Sequence, residues 1–307
     1  MLNRILVNLK STFNFSKKVA IVALASGNRL SRNEKLLLNC DVAGLGLEIG
    51  PSYNPIAPKA SGYRVDILDH ADAPALRKKY KEHNVDLSNI EDVDYVWSGQ
   101  ALHELTKKSD HYDWIIASHV IEHTPDLVSF LIQCELMLKP GGILSLAVPD
   151  HRYCFDVFRP VSTSGDVIQA FIEKRRKHSA GAIFDHFSMG AKKNDALAWS
   201  EGALGDYSLI HDSVSHAQAV LAHASNSNEY IDIHNWRFTP SSFKLILSDI
   251  NALGYVSFST KTFFQTEGFE FVCQLQKTSD GKVQTAESVS RRDLLMDIVK
   301  ESRATTL

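Results

Sequence analysis

From residue 44 onward, short β-type runs alternate with helix-length amphipathic segments, and this alternation constrains the fold more than any other feature of the chain. GLGLEIG, YRVDIL, VDYVW, YDWIIASHV and GGILSLAVP read as strands, separated by segments such as APALRKKYKEH and PDLVSFLIQCELMLK. Repeated strand-helix-strand units return the chain to the same end of a sheet each time. The pattern therefore predicts an α/β fold with a doubly wound, mostly parallel sheet. Residues 114–117 and 143–148 are apolar without a period of two, as expected of central strands covered on both faces. Between them, Leu127, Phe130, Leu131, Cys134 and Leu138 follow helical spacing over 126–138, and Lys139-Pro140-Gly141-Gly142 ends that helix.

Residues 151–232 break the alternation. They are rich in His, Arg and aromatics, with two helix-like pieces near 164–177 and 212–225, and read as an insert over the carboxyl edge of the sheet. TPSSFKLILSDINALGY then predicts a helix started by Thr239, and VSFSTKTFF with FEFVCQLQK a terminal hairpin. Residues 1–43 read as a helical lead-in, because Ser31 with Glu34 three positions later makes a capping box. The main domain is expected over 44–277, followed by a polar tail over 278–307.

Of the 307 residues, 44% are hydrophobic and 22% charged, within the globular range. A net charge of −3 lacks the electrostatic footprint of a nucleic-acid binder, so no nucleic-acid partner is expected. Cys40, Cys134, Cys154 and Cys273 are far apart with no C-x-x-C pair, which fits reduced thiols and a cytoplasmic address. The run VAIVALA at 19–25 follows Lys17-Lys18 but is short and preceded by a long mixed stretch, unlike a secretory signal. No stretch approaches the ~20 apolar residues of a spanning helix, so no stable membrane insertion is expected.

The first strand ends in Leu47-Glu48-Ile49-Gly50-Pro51-Ser52-Tyr53-Asn54, a carboxylate followed by a glycine turn where a ligand can approach the backbone. The second strand ends at Asp69, where a carboxylate can accept both hydroxyls of a ribose. Asp66 competes for that role, but Asp69 follows the apolar Ile67-Leu68 ending. The pair suits a nucleoside carrying a positive charge. A nicotinamide dinucleotide instead requires G-x-G-x-x-G directly after the first strand, whereas Gly44 and Gly46 lie before or within it and Gly50 stands alone.

With Gly99-Gln100-Ala101-Leu102, SHVIEH and LKPGG following in order, the chain resembles the class I S-adenosylmethionine-dependent methyltransferases, in particular the E-I-G-P loop, methyltransferase type 11-like branch. The resemblance covers about 44–150 and, more weakly, 234–276. Ser52 and Asn54 stand where two of the motif's glycines usually lie. It implies a seven-stranded Rossmann-like sheet, the cofactor S-adenosyl-L-methionine, and methyl transfer. It also implies that Glu48, Gly50 and Ser52 meet the methionine part, Asp69 the ribose, Gln100 and Ala101 the adenine edge, and Ser118 and His119 the region beside the sulfonium.

A sulfonium carries its own leaving group, so the protein mainly has to align the acceptor and exclude water. For a hydroxyl acceptor a base is needed, and His119 at the end of the fourth strand is the first candidate, with Asp150 at the end of the fifth. His123 reads as a structural hydrogen-bonder, and Glu122 as a helix cap or an orienting group. In the insert, Arg152, Tyr153, Arg159, Asp185, His186, His234 and Trp236 offer the aromatic faces and charged donors that suit a sugar or glycan precursor. No local spacing supports a metal site. No N-P-P-Y-type tetrapeptide follows the fourth strand, which disfavours amino methylation of a base and favours O-methylation. Small-amine N-methylation and cofactor binding without turnover are the alternatives.

Overall fold

Ser31 caps the first described helix, α1 (Arg32–Leu37), through the expected capping box with Glu34. The computed structural model describes residues 29–227, 229–279 and 289–303. Most of the predicted lead-in, the VAIVALA run included, therefore lies outside the described residues.

The alternation folds as β1 (Gly46–Ile49), β2 (Val65–Asp69), α2 (Ala73–Tyr80), β3 (Tyr95–Val96), α3 (Leu102–Thr106), β4 (Tyr112–Ser118), α4 (Leu127–Met137) and β5 (Leu138–Pro149). The insert holds α5 (Ser164–Ile172), α6 (Ala180–Met189), a small antiparallel pair β6 (Ala191–Lys193) and β7 (Tyr207–Leu209), and α7 (Val214–Asn226). α8 (Pro240–Ala252), capped by Thr239, leads into the hairpin β8 (Phe258–Glu267) and β9 (Glu270–Lys277), and α9 (Arg291–Arg303) lies in the tail. One seven-stranded sheet runs β3-β2-β1-β4-β5-β9-β8. β1 to β5 pair in parallel, and β9 is antiparallel to both β5 and β8. This is the Rossmann-like methyltransferase sheet.

Alternate residues of each central strand face opposite layers. Leu47, Ile49, Ile115, Ala117, Leu144 and Leu146 join Leu131 of α4 and Phe243 of α8 in the larger core, while Ile67, Trp114, Ile116 and Ala147 meet Leu36 of α1. Each fully buried Leu or Ile contributes about 1.5–3 kcal/mol. Gly46 is required where the Trp114 ring crosses β1, since a Cβ there would lie 2.1 Å from the indole.

Two details differ from the sequence reading. The segment 126–138 is helical only to Met137, and β5 starts at once at Leu138, pairing with Tyr112 before Pro140-Gly141-Gly142 shifts the register. The insert contains a further helix, α6 (AGAIFDHFSM), and two three-residue strands too short to show a period. Among the described residues, no helix is long and apolar enough to cross a membrane.

Candidate active site

The strand order reverses between β1 and β4, where a doubly wound sheet opens a crevice at its carboxyl edge. Glu48 is in register with Ile67 of β2 and Ile116 of β4, so Glu48, Asp69 and Ser118 share one face of the sheet at neighbouring strand ends. The loop after β1 turns back through Gly50 and Ser52, both left-handed (φ 68° and 51°). A side chain at Gly50 would be strained by that φ, and its Cβ would press to 3.0 Å from Val120. The Asp69 carboxylate fixes this turn, accepting from the amides of Ser52 (2.9 Å) and His70 (2.7 Å).

Glu48 acts on the same loop from below. Both its oxygens accept backbone amides, of Ile56 at 2.7 Å and Ala57 at 3.1 Å. Burial pushes its carboxyl up to about 7 in spite of those two bonds. Asp66 is engaged elsewhere, accepting from the Tyr112 hydroxyl at 2.8 Å. Gln100 folds its side-chain oxygen onto the Ser98 amide and hydroxyl, its backbone carbonyl accepts from the Trp97 indole, and Ala101 is the N-cap of α3.

The Asp69 carboxylate and the Gly50 turn fit a nucleoside. Apart from the two amides, the Asp69 carboxylate meets the His70 ring (2.6 Å), whose side chain is 44% exposed and can yield to a diol. The turn at Gly50 presents backbone rather than side chain.

His119 follows β4 in a left-handed conformation (φ 54°) that a non-glycine residue adopts at some cost. Its Nε2 lies 2.7 Å from Glu270 at the start of β9, and Arg32 of α1 donates to both Glu270 and the Ser118 hydroxyl. Burial pushes the Glu270 carboxyl up, but the bonds from His119 and Arg32 outweigh it and hold it at about 2. The His119 Nδ1 is left facing Glu122, 3.5 Å from its Oε1. Glu122 is completely buried in a 3-10 turn (Ile121–His123), and neither of its carboxylate oxygens has a hydrogen-bond partner among the described residues. His123 Nε2 and His234 Nε2 approach the same Oε1 at 3.8 and 4.0 Å.

Asp150 does not join this group. It is wholly buried, caps the turn of His151–Tyr153, holds the Arg152 guanidinium at two points (2.9 and 2.6 Å) and accepts from Thr266 at 2.6 Å. A carboxylate so fully committed is a structural anion, which corrects the expectation that it serves as a base. Arg152 is thereby fixed as well. Tyr153 packs with Val157 and Trp199, and Trp236 belongs to the main core with its indole N–H donating to the Thr124 carbonyl at 2.6 Å. From the insert, Arg159, His186 and His234 do converge. His234 Nδ1 lies 2.5 Å from Asp156, Arg159 donates to Asp156 and to the His234 carbonyl (both 2.7 Å), and the His186 ring stands 6.3 Å from that of His234. Burial holds the His186 imidazole down at about 3, hence neutral at pH 7.

Glu270, Arg32 and Asp156, and Asp232, which lies 2.7 Å from His123 Nδ1, have no signal in the sequence. Each acts through a histidine or a serine distant in the chain, and no local pattern marks such a partner.

A methyltransferase-domain family model matches residues 34–251. The chain belongs to that family. The methyltransferase therefore uses S-adenosylmethionine, the donor whose nucleoside the β1–β2 edge fits. Similar solved structures include a SAM-dependent methyltransferase from Methanosarcina mazei (13% identity, TM-score 0.38, 76% of this chain and 92% of that one). Another comes from Aquifex aeolicus (11%, 0.36, 76% and 81%). A third is the CurJ carbon methyltransferase (16%, 0.37, 77% of this chain), of which the present chain spans 49%. Among curated proteins, none matches the chain.

Proposed function

We propose that this methyltransferase O-methylates a small polyhydroxylated acceptor such as a sugar or glycan precursor, with His119 as the base. The carrying observation is the His119 ring itself. With Nε2–H donating to Glu270, the tautomer leaves Nδ1 bare to accept a proton, and the left-handed backbone aims it from the tip of β4. The cofactor supplies an electrophilic methyl group. Arg32 and Glu270 orient His119, the Asp69 and Gly50 loop holds the nucleoside, and the insert shields the crevice from water.

The acceptor class is supported by buried donors that the fold leaves unpaired. Arg159 Nε and Nη2 and His186 Nδ1 have no hydrogen-bond partner among the described residues, and hydroxyl groups can answer both donors and acceptors. The test is transfer of a labelled methyl group from S-adenosylmethionine across a panel of sugars, sugar nucleotides, amines, protein and nucleic acid. Label on a hydroxyl oxygen, with His119→Gln lowering kcat by roughly 10²–10⁴-fold, is the expected result. Label found only on amines, protein or nucleic acid rejects the reading.

A further inference from the structure

We propose that Glu122, His123 and His234 bind a divalent transition-metal ion at the carboxyl edge of β4. The starting point is an electrostatic imbalance. A carboxylate taken fully out of water without a hydrogen bond costs several kcal/mol, and Glu122 has no such bond to either oxygen among the described residues.

Instead, its Oε1 is surrounded by imidazole nitrogens. His123 Nε2 stands at 3.8 Å and His234 Nε2 at 4.0 Å, and the donor atoms of these three residues all lie within 4.8 Å of one another. Metal bonds of about 2.0–2.2 Å place neighbouring donors roughly 3.0–3.5 Å apart, so shifts of about 0.3–1 Å bring the two histidine nitrogens to ligand spacing from Glu122.

The far side of each ring carries the second half of the argument. His123 Nδ1 lies 2.7 Å from Asp232, and His234 Nδ1 lies 2.5 Å from Asp156. A carboxylate behind the distal nitrogen fixes the tautomer that leaves Nε2 bare, the arrangement metal-ligating histidines use. The backbone holds the two halves together, because the Glu122 carbonyl accepts from the amides of both Asn235 (2.7 Å) and Trp236 (3.1 Å).

A neighbouring trio, Cys154, Asp156 and His234, also clusters, but Asp156 is already held by the Arg159 guanidinium, whose charge competes with an ion, and by the Nδ1 of His234. Two imidazoles and one carboxylate select a borderline divalent ion such as Zn²⁺, Fe²⁺ or Co²⁺ over Mg²⁺ or Ca²⁺. Glu122 and His234 form the buried floor. The His119 and His123 side chains, each about 30% exposed, form the rim where an open position remains.

A catalytic role for the ion rests on the methyl-transfer reading. The acceptor oxygen would occupy the open position and pass its proton to His119 Nδ1. As the new O–C bond forms, the S–C bond breaks and its electron pair stays on sulfur. The ligands escaped local spacing because 122–123 and 234 are joined only by the fold.

Full-length protein stripped with a chelator is titrated with Zn²⁺ and, for a visible ligand-field spectrum, with Co²⁺. One ion per chain is expected, with Glu122→Gln and His234→Ala each weakening binding about 100-fold or more, and Asp156→Asn or Asp232→Asn about 10–100-fold. Circular dichroism checks the fold of each variant. Failure of the wild-type chain to bind Co²⁺ stoichiometrically, or undiminished binding by a folded His234→Ala, overturns the site. Because the titration contains neither cofactor nor acceptor, it can fail independently of the O-methylation reading. Methyl transfer to a hydroxyl that is unchanged after chelation overturns the ion's catalytic role alone.

Discussion

Glu48 and Asp69 stand on neighbouring strand tips, yet their oxygens do different work. Asp69 meets two amides and an exposed imidazole that a ribose can displace, so Asp69→Ala should weaken S-adenosylmethionine binding by at least about tenfold in calorimetry, partly by loosening the turn at Ser52. Glu48 holds the 56–57 backbone, and burial raises its carboxyl to about 7, above the ordinary carboxylate value. A raised folded pKa contributes stability that is fully present below about pH 4.5 and is lost as pH rises through 7. The loss amounts to at most ~3 kcal/mol. The thermal midpoint should therefore fall between pH 5 and 8 in the wild type and change less in Glu48→Gln; parallel curves would refute this account. The sequence marks both carboxylates, because an acid beside a glycine turn and an acid at a strand end are local patterns. It does not mark that the backbone takes up both oxygens of Glu48, since the amides that hold them come from eight and nine positions further on.

The elements follow the sequence where capping and periodicity are strong. Ser31, Asp126 and Thr239 each start the helix expected of them, and the five parallel strands appear where the apolar runs lie. Thr239→Ala removes a buried cap and should cost α8 about 1 kcal/mol in denaturant unfolding. The polar tail contains α9, docked on α8. Leu294 is buried, and Glu301 accepts from the amide and hydroxyl of Ser241 at the N-terminus of α8, where a negative charge also meets the helix dipole. A helix with one buried apolar side chain does not stand out from composition. Leu294→Ala should release it at a cost of about 2 kcal/mol, read as faster amide exchange in α9 than in the central strands.

For the molecule as a whole, the alternation predicts a mostly parallel sheet but not its order, because strand order depends on crossovers whose direction no local residue encodes. The position of β9 between β5 and β8 places Glu270 behind His119, and only the closed sheet reveals that contact. Cofactor binding should stabilise the whole chain by mass action. At about 100 times the dissociation constant the gain is ~2.7 kcal/mol, seen as a rise of several degrees in thermal midpoint that Asp69→Ala forfeits. A wild-type midpoint indifferent to S-adenosylmethionine would contradict the β1–β2 nucleoside site. The two amides of Asn235 and Trp236 that close on the Glu122 carbonyl carry a consequence for engineering. They splice the returning end of the insert into the turn that carries Glu122 and adjoins His119. Grafting a foreign insert between β5 and α8 would therefore change reactivity along with acceptor preference, and the two cannot be tuned as separate modules.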